Sequence, residues 1–462
     1  MKQEQVHLNQ KEYVKEQLQQ LLEKEEISFY RIIDSTSRKN NFYVEKEYSI
    51  ESVLKSQRDE LIVTIKTKDE NTIGESSFTL IPQHTKEDID QEIKDAIFIC
   101  SQSRNKSYNE IDSDNEIIKD SHIDYNSFID RKVKDDFNNN TINLFIEEKL
   151  QNFKSIIKEE STQDISIRLN AMELLTSLTK KQLETSTKIT KEYEKDSAYL
   201  EIVLTAVEKS GKESEHILYQ KINNLYTFNY EDFLKDAITK IKDALHTIKP
   251  NSYEGEIELK GTACLDFFNP DLTMNAYIAH CSSRLIYQKL SNYKIGKQAI
   301  KNVKKDKLTV SINPLLPHNN ASTPFDADGI AAQKIRLINN NTIENFFASN
   351  QYAQYLNINP TGPMGPLEIE GGSLLEELKN GIEIHTFSSF VPDMLSGNFS
   401  AEVRLGYIVK DGKKTPFKGG LFTGNIFKLL ENCELSKELI EETGYKGPKS
   451  IKFYEGELVG LD

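Results

Sequence analysis

Thr323–Ser349 reads TPFDADGIAAQKIRLINNNTIENFFAS. A proline opens it, two aspartates stand two positions apart, and a glycine closes the polar part. Apolar side chains then alternate through Lys334–Ile338, four polar residues interrupt at Asn339–Thr342, and a second short run follows at Ile343–Phe347. Alternation with a period of two is the patterning of a strand, and a short polar break between two such runs is a hairpin. The entry into the first strand, Asp326-Ala-Asp-Gly329, has the composition of an Asx-type turn, in which a short carboxylate accepts backbone N–H groups just ahead of it. Two carboxylates before a glycine could also begin a hard-cation site, but such a site takes six or more oxygens and two are in view. A turn is the expectation for Asp326 and Asp328.

Working outward, the whole stretch from 251 onward has this texture: most of the glycines and prolines, short strands and tight turns. Ala401–Val409 alternates Val403, Leu405, Tyr407 and Val409, then runs into Asp411-Gly412, a hairpin signal. Helices are expected at Ala276–Leu290 and near Ser373–Lys379. Upstream the pattern changes. Val14, Leu18, Leu21 and Leu22 share one helical face, and strand-like runs follow at Ile27–Ile33, Asn41–Tyr48 and Leu61–Thr67. The last passes through the polar turn Lys68–Thr72 into Ile73–Leu80. Thr85-Lys-Glu-Asp88 reads as a capping box before a helix carrying Ile89, Ile93, Ala96, Ile97 and Cys100 on one stripe. Residues 102–140 are polar with few large apolar side chains, the composition of a linker. Order resumes with a helix at Leu144–Ile157, strands at Asp164–Asn170 and Ala198–Ala206, a turn at Ser210-Gly211, a strand with His216 and Leu218, and a helix at Glu231–Ile248 stopped by Pro250.

These patterns predict an α+β chain. The N-terminal lobe is made of β-strands with packed helices, and the C-terminal domain is mainly β with a few helices. The expected boundaries are 1–101, a polar linker or mobile insertion at 102–140, a middle α/β segment at 141–249 that can share one lobe with the first, and 250–462. A length of 462 residues suits two or three domains.

Charge and composition exclude several classes. Net charge is −14, with Lys and Glu interleaved as on solvated helix faces, which argues against a nucleic-acid grip. Lys301–Lys307 (KNVKKDK) is a local basic run. No stretch approaches the roughly 18 apolar residues of a membrane span. The opening MKQEQVHLNQKEYVKEQ lacks the apolar core of a signal peptide, so a cytoplasmic protein is expected. Cys100, Cys264, Cys281 and Cys433 are widely scattered and fit neither metal spacing nor a disulfide framework.

Catalytic motifs are sparse. The eight histidines are His7, His84, His122, His216, His246, His280, His318 and His385, and no two lie within two helical turns of each other. A helical zinc site needs two on adjacent turns, usually with a glutamate beside one as base. No GxSxG elbow and no GxxxxGK[ST] loop is present. His280 begins AHCSSRLIYQKL beside Cys281 and reads as a polar helix-start residue next to a small buried thiol. The glycine pairs Gly371-Gly372 and Gly419-Gly420 read as turns.

With those residues in view, Thr323–Ser349 resembles the "FDDEG…T…LI.nG.l" block of the TldD/PmbA (TldE) peptide-processing family. It centres on Phe325, Asp326, Asp328 and Gly329. The likeness continues at Thr361-Gly362, Gly372, Ser373–Leu378 and Gly381. It is strongest at Ser396-Gly397-Asn398-Phe399-Ser400, similar to the family's "tGdFs", and then follows Gly406, Asp411-Gly412, Pro416 and Gly424-Asn425. Phe29-Tyr30-Arg31 and the Ile73-Gly74 hairpin resemble its first domain more loosely.

The resemblance implies a pair of subunits. TldD-type chains carry HExxxH on a helix and a later cysteine as zinc ligands, and TldE-type chains keep the fold without the site. If His280 takes the first ligand position, Cys281 stands for the glutamate and Leu285 for the second histidine, and the closing Gly444–Leu461 holds no cysteine. The implied role is a TldE/PmbA-like subunit, inactive alone, with no cofactor of its own and zinc in a TldD-like catalytic partner. The complex would cleave unfolded peptides or leader peptides. A homodimer is the other assembly, and neither nucleic acid nor membrane is an expected partner. Ala327 and Asp328 depart from the family's usual Asp and Glu. That keeps open a stand-alone peptide- or protein-binding module of the same fold, and a hydrolase using Asp326, Asp328 and His280. The family's older label, modulator of DNA gyrase, would require a protein partner rather than direct DNA contact, given the net charge.

Overall fold

The computed structural model describes residues 2–45, 48–268 and 276–461. Helix α1 (Lys2–Glu23) leads into β1 (Phe29–Glu45), β2 (Ile50–Lys68), β3 (Thr72–Leu80), α2 (Lys86–Gln102) and the short β4 (Arg104–Lys106). After α3 (Arg131–Asn139) and α4 (Ile142–Glu160) come β5 (Ile165–Thr185), β6 (Thr190–Glu208), β7 (Glu213–Ile222) and α5 (Tyr230–Ala244). The strands form one antiparallel sheet in the order β4-β3-β2-β1-β5-β6-β7. The segments 1–101 and 141–249 therefore meet within a single sheet, along the β1–β5 ladder from Arg31 opposite Thr185 to Glu45 opposite Ala171.

Of the two strands expected at Ile27–Ile33 and Asn41–Tyr48, Phe29–Ile33 and Asn41–Glu45 form the two ends of β1, while Lys46 and Glu47 lie outside the described residues. The polar middle, Asp34–Asn40, has no apolar alternation, but β2 and β5 pair with it from both sides. Its backbone N–H and C=O groups are satisfied by ladders whose partners lie far away in the sequence.

Side chains alternate between the two faces of a strand, and here the faces have different tasks. Ile32 in β1 packs with Val14 and Leu18 of α1 and Ile89, Ile93 and Ala96 of α2. Phe42, an even number of residues along, packs with Leu150 and Phe153 of α4 and Leu234 and Ile238 of α5. Thr85 and Asp88 form the expected capping box at the start of α2. The odd positions look the other way, onto the C-terminal half. Arg31 reaches Asp328, Ile33 packs beside Phe325, and in β6 Lys191 and Lys195 donate to the carbonyls of Ile118 and Ser322.

Residues 102–140, expected as a linker or mobile insertion, cross this second face. Ile111 and Ile118 pack with Leu183, Ile189, Phe325 and Ile330. Ile123 and Phe128 pack with Ala331 and Ala332, and Val133 and Phe137 of α3 join the helix-covered core. Its few apolar residues are irregularly spaced and buried or half-buried, a pattern with no period for a sequence window to detect.

The C-terminal lobe begins with β8 (Tyr253–Lys260), α6 (Gly261–Phe268), α7 (Ala276–Ala279), α8 (Ser283–Tyr287), β9 (Val310–Ile312), β10 (Ile335–Asn339), β11 (Thr342–Ile343) and α9 (Asn350–Leu356). It continues with β12 (Leu367–Ile369), β13 (Gly381–Phe387), β14 (Asn398–Lys410), β15 (Lys413–Phe417), β16 (Leu421–Asn425) and α10 (Ile426–Leu429). β17 (Cys433–Leu435), β18 (Leu439–Glu442), β19 (Tyr445–Pro448) and β20 (Ser450–Val459) complete it. One sheet runs β11-β10-β9-β12-β19-β18. In the other, β13 pairs with β8, β8 with β20, β20 with β16, β16 with β14, and β14 returns to β13, so the pairing closes on itself. Both sheets contribute to one core that includes Tyr277, Leu337, Phe422 and Phe453. The chain is thus α+β, with helices packed on the N-terminal sheet and a mainly β C-terminal lobe.

The helix expected near Ser373–Lys379 does not form. Leu374 instead donates its N–H to Leu435 and accepts from Lys437, while Asp306 accepts the N–H of Ser373. Among the described residues no helix is long and apolar enough to cross a membrane.

Glu383 in β13 is fully buried and lies 2.8 Å from Lys414, 3.0 Å from Lys260 and 3.1 Å from His385. Burial pushes its pKa up, but the hydrogen bonds from His385, Lys414 and Lys260 together prevail and hold it at about 2. A carboxyl depressed on folding stabilises the native state above its unfolded pKa, and that stability disappears as pH falls through the folded value. Glu383→Gln should therefore cost about 2–3 kcal/mol at pH 7. In urea titrations the gap from the parent chain should narrow steadily between pH 4.5 and pH 2.

Candidate functional site

Asp326–Gly329 is the expected turn. Asp326 Oδ1 accepts the N–H groups of Asp328 and Ile330, each at 2.9 Å, and the Asp326 carbonyl accepts the N–H of Gly329. Gly329 has φ +80°, and a Cβ there would stand 2.7 Å from Ile189, so both the backbone conformation and the neighbouring strand connection require glycine. The turn presents Asp328 to Arg31, whose Nη1 donates to it at 2.7 Å and whose Nη2 donates to Thr64 at 3.2 Å. Both carboxylates are engaged inside the protein. Burial, with the Asp328 carboxylate next to it, pushes the Asp326 pKa up. Lys66 stands close by, 2.8 Å from Tyr108 and 3.0 Å from Glu110. This block holds the two lobes together, with a fixed guanidinium where a cation site would need an exchangeable ion.

The second candidate is the segment expected as one helix, Ala276–Leu290. It is two short helices, α7 and α8, with a break between them. Cys281 and Ser282 donate their N–H groups three residues back, to Ile278 and Ala279, and Ser282 is extended, with φ −72° and ψ 125°. Phe347 donates its N–H to Cys281, and its carbonyl accepts from Ser283. A strand-like bridge from a distant segment thus replaces the helical hydrogen bonds at this point, and His280 and Leu285 lie on opposite sides of the break.

His280 is 9% exposed. Its Nε2 lies 3.0 Å from the carbonyl of Leu395. A carbonyl only accepts, so the proton is assigned to Nε2. Ser291 Oγ lies 3.1 Å from Nδ1 and 2.8 Å from the His280 carbonyl, which places its hydroxyl proton between two acceptors. Tyr293 and Phe427 flank the ring. Both ring nitrogens are therefore engaged. The Cys281 thiol is buried in the core, and burial pushes its pKa up to about 12. Leu285 lines a cavity of about 360 Å³ together with Ile278, Phe347, Met364 and Met394. A zinc ion needs deprotonated or neutral donors with free lone pairs, and this donor set does not fit one. Among the described residues no three His, Cys, Asp or Glu side chains are grouped to hold a metal ion.

The Ser396–Ser400 motif adjoins this segment. Leu395, the acceptor for His280, immediately precedes Ser396–Ser400. Asn425 Nδ2 donates to the Ser396 carbonyl at 2.7 Å and to Asn398 at 2.8 Å, while its Oδ1 caps α10. Gly397 lies against the Phe427 ring, and Phe399 is buried in the core. Ser400 is opposite Thr423, and Phe399 opposite Gly424, in the β14–β16 ladder. Gly362 and Gly381 lie against the backbone carbonyls of Ala331 and Glu256, and Gly372 against Asp306. Among the described residues Asp328 bonds Arg31 while His280 bonds Ser291 and Leu395, and no hydrogen bond joins His280 to Asp326 or Asp328. In the basic run, Lys304 and Lys305 pair with Glu455 and Glu434. Sequence patterns gave no sign of Ser291, Met364 or Met394, because Ser291 reaches His280 across a loop and the two methionines line a cavity with residues far away in the chain.

Residues 268–455 match the PmbA/TldA metallopeptidase C-terminal domain. An uncharacterized protein of Methanocaldococcus jannaschii is 25% identical over 246 residues, a match covering 50% of this chain and 57% of that protein's length. Among solved structures, TldE from Thermococcus kodakarensis has a TM-score of 0.74 at 17% identity, over 97% of this chain and 100% of that one. A candidate modulator of DNA gyrase from Thermotoga maritima gives the same values. Another from Bacteroides thetaiotaomicron has a TM-score of 0.72 at 15% identity, over 99% of each chain. At these identities the structural likeness shows the fold.

The Arg31–Asp328 pair is mostly buried, with side-chain exposures of 12% and 21%. Removing one partner of such a pair leaves the other charge buried and uncompensated. Arg31→Met should lower unfolding stability by about 3 kcal/mol in urea titration, and the double variant with Asp328→Asn should recover part of that loss.

Proposed function

We propose that this chain, whose residues 268–455 match the PmbA/TldA metallopeptidase C-terminal domain, is a TldE-type, non-catalytic subunit acting with a TldD-like zinc peptidase on unfolded or leader peptides. The observation that carries this reading is the state of the segment where the family resemblance puts the zinc ligands. His280 has both nitrogens in hydrogen bonds, Cys281 stays a thiol, and Leu285 offers no donor. A zinc peptidase relies on the metal to generate a nucleophile from water at neutral pH, and in this proposal the partner supplies it. The chain's contribution is a second subunit of the same fold that helps enclose the peptide. The cytoplasm is the proposed compartment, since four free, buried cysteines fit a reducing environment.

The apolar cavity beside Leu285 favours a second reading, a peptide-binding module of the same fold that works without a peptidase. Co-expression with a TldD-like protein separates the two. The proposed subunit co-elutes with that partner, the pair hydrolyses an unfolded casein or leader peptide, and a chelator abolishes the activity. His280→Ala in this chain leaves the rate of the pair within about twofold, because the residue touches no metal. Chelator-sensitive hydrolysis by this chain alone would overturn the proposal, and elution without the partner would leave the binding module as the better reading.

A further inference from the structure

The cavity beside α8 has a definite chemical character. Leu285, Ile278, Ile312 and Phe347 form its apolar walls, with Met364 and Met394 completing them. Two of the chain's five methionines therefore line one cavity. Methionine is unbranched and polarizable, and it adapts to side chains of different shape. At about 360 Å³ the space lies near the lower end of ligand pockets. It suits one large apolar side chain with its own backbone rather than a cofactor.

Arg284 also lines the cavity. It is exposed and takes part in no ion pair or hydrogen bond of its side chain among the described residues. In a chain of net charge −14 an unpaired guanidinium beside an apolar cavity selects for an anion, and its planar fork matches a carboxylate. At the end of the same helix Tyr287, itself 40% exposed, meets Tyr352 and Tyr355 at ring-centroid distances of 5.9 and 4.8 Å, and Leu290 at the cavity wall is 47% exposed. Apolar and aromatic surface therefore continues outward from the cavity, as a longer ligand requires.

We propose that this cavity binds the C-terminal residue of a peptide, with its apolar side chain between Leu285, Phe347, Met364 and Met394 and its α-carboxylate on Arg284. A C-terminal residue supplies both an apolar side chain and a carboxylate, which an internal apolar residue does not. The inference rests on the peptide-handling role proposed above, but it requires neither the zinc partner nor hydrolysis.

The test is fluorescence polarization with the full isolated chain and an N-terminally labelled hexapeptide ending in leucine, as free acid and as amide. The free acid binds, and amidation weakens binding about tenfold or more, the scale of a lost charge-assisted pair. Arg284→Gln, at an exposed position, brings acid and amide to equal affinity while the thermal melt is unchanged. Met394→Trp, which fills the cavity, abolishes binding of both. Equal affinity for acid and amide in the parent chain overturns the inference, as does displacement of the peptide by decanoate at equal concentration, which would mark a site for any apolar carboxylate. Absence of binding to either peptide also overturns it. That last result leaves the subunit reading intact, since co-elution with a peptidase tests that reading separately.

Discussion

The guanidinium of Arg31 is the point on which the two lobes are set. It projects from the second face of the N-terminal sheet, donates to Asp328 and Thr64, and is largely withdrawn from water. Its Nε has no hydrogen-bond partner among the described residues, a cost that the bond to Asp328 offsets only while the turn holds that carboxylate in place. The turn does so through its own backbone: Asp326 accepts two N–H groups, and Gly329 takes a conformation that other residues adopt at a penalty. Around this charged contact Ile33, Leu183 and Ile189 of the sheet pack against Phe325 and Ile330. The hydrophobic contact supplies area, and the ion pair fixes the register of one lobe on the other. Because both carboxylates of the motif are engaged in assembly, neither is free for cation binding or acid–base chemistry.

What could be read from the sequence follows the range of the interactions. The hairpin through Lys68–Thr72, the capping box at Thr85–Asp88 and the turn at Asp411-Gly412 are decided within a few residues, and each is found as expected. The continuity of β1, the path of residues 102–140 and the loss of a helix at Ser373–Lys379 are decided by partners far along the chain. The break at His280–Ser282 is the clearest case. The local sequence favours a helix through Leu290, and the backbone of Phe347 overrules it. In each case propensity is a weak prior that tertiary hydrogen bonds outweigh.

The candidate site divides in the same way. The missing histidine pair and the turn chemistry of Asp326 and Asp328 were legible from residue types and spacing. The engagement of His280 was not, because its partners are a serine eleven residues on and a carbonyl 115 residues away. That carbonyl, of Leu395, adjoins the Ser396–Ser400 motif, so two features far apart in the sequence meet in space. The result is a position occupied by structural contacts, with an apolar cavity beside Leu285 where a second metal ligand would have to stand.

Calorimetric titration of zinc into the isolated, chelator-treated chain at neutral pH reads this most directly. Engaged nitrogens, a protonated buried thiol and a leucine predict no stoichiometric tight binding, and the same heat trace for the parent chain and for His280→Ala. One-to-one binding of zinc that is lost in His280→Ala would contradict it, because the histidine would then have left Leu395 and Ser291 to serve a metal centre.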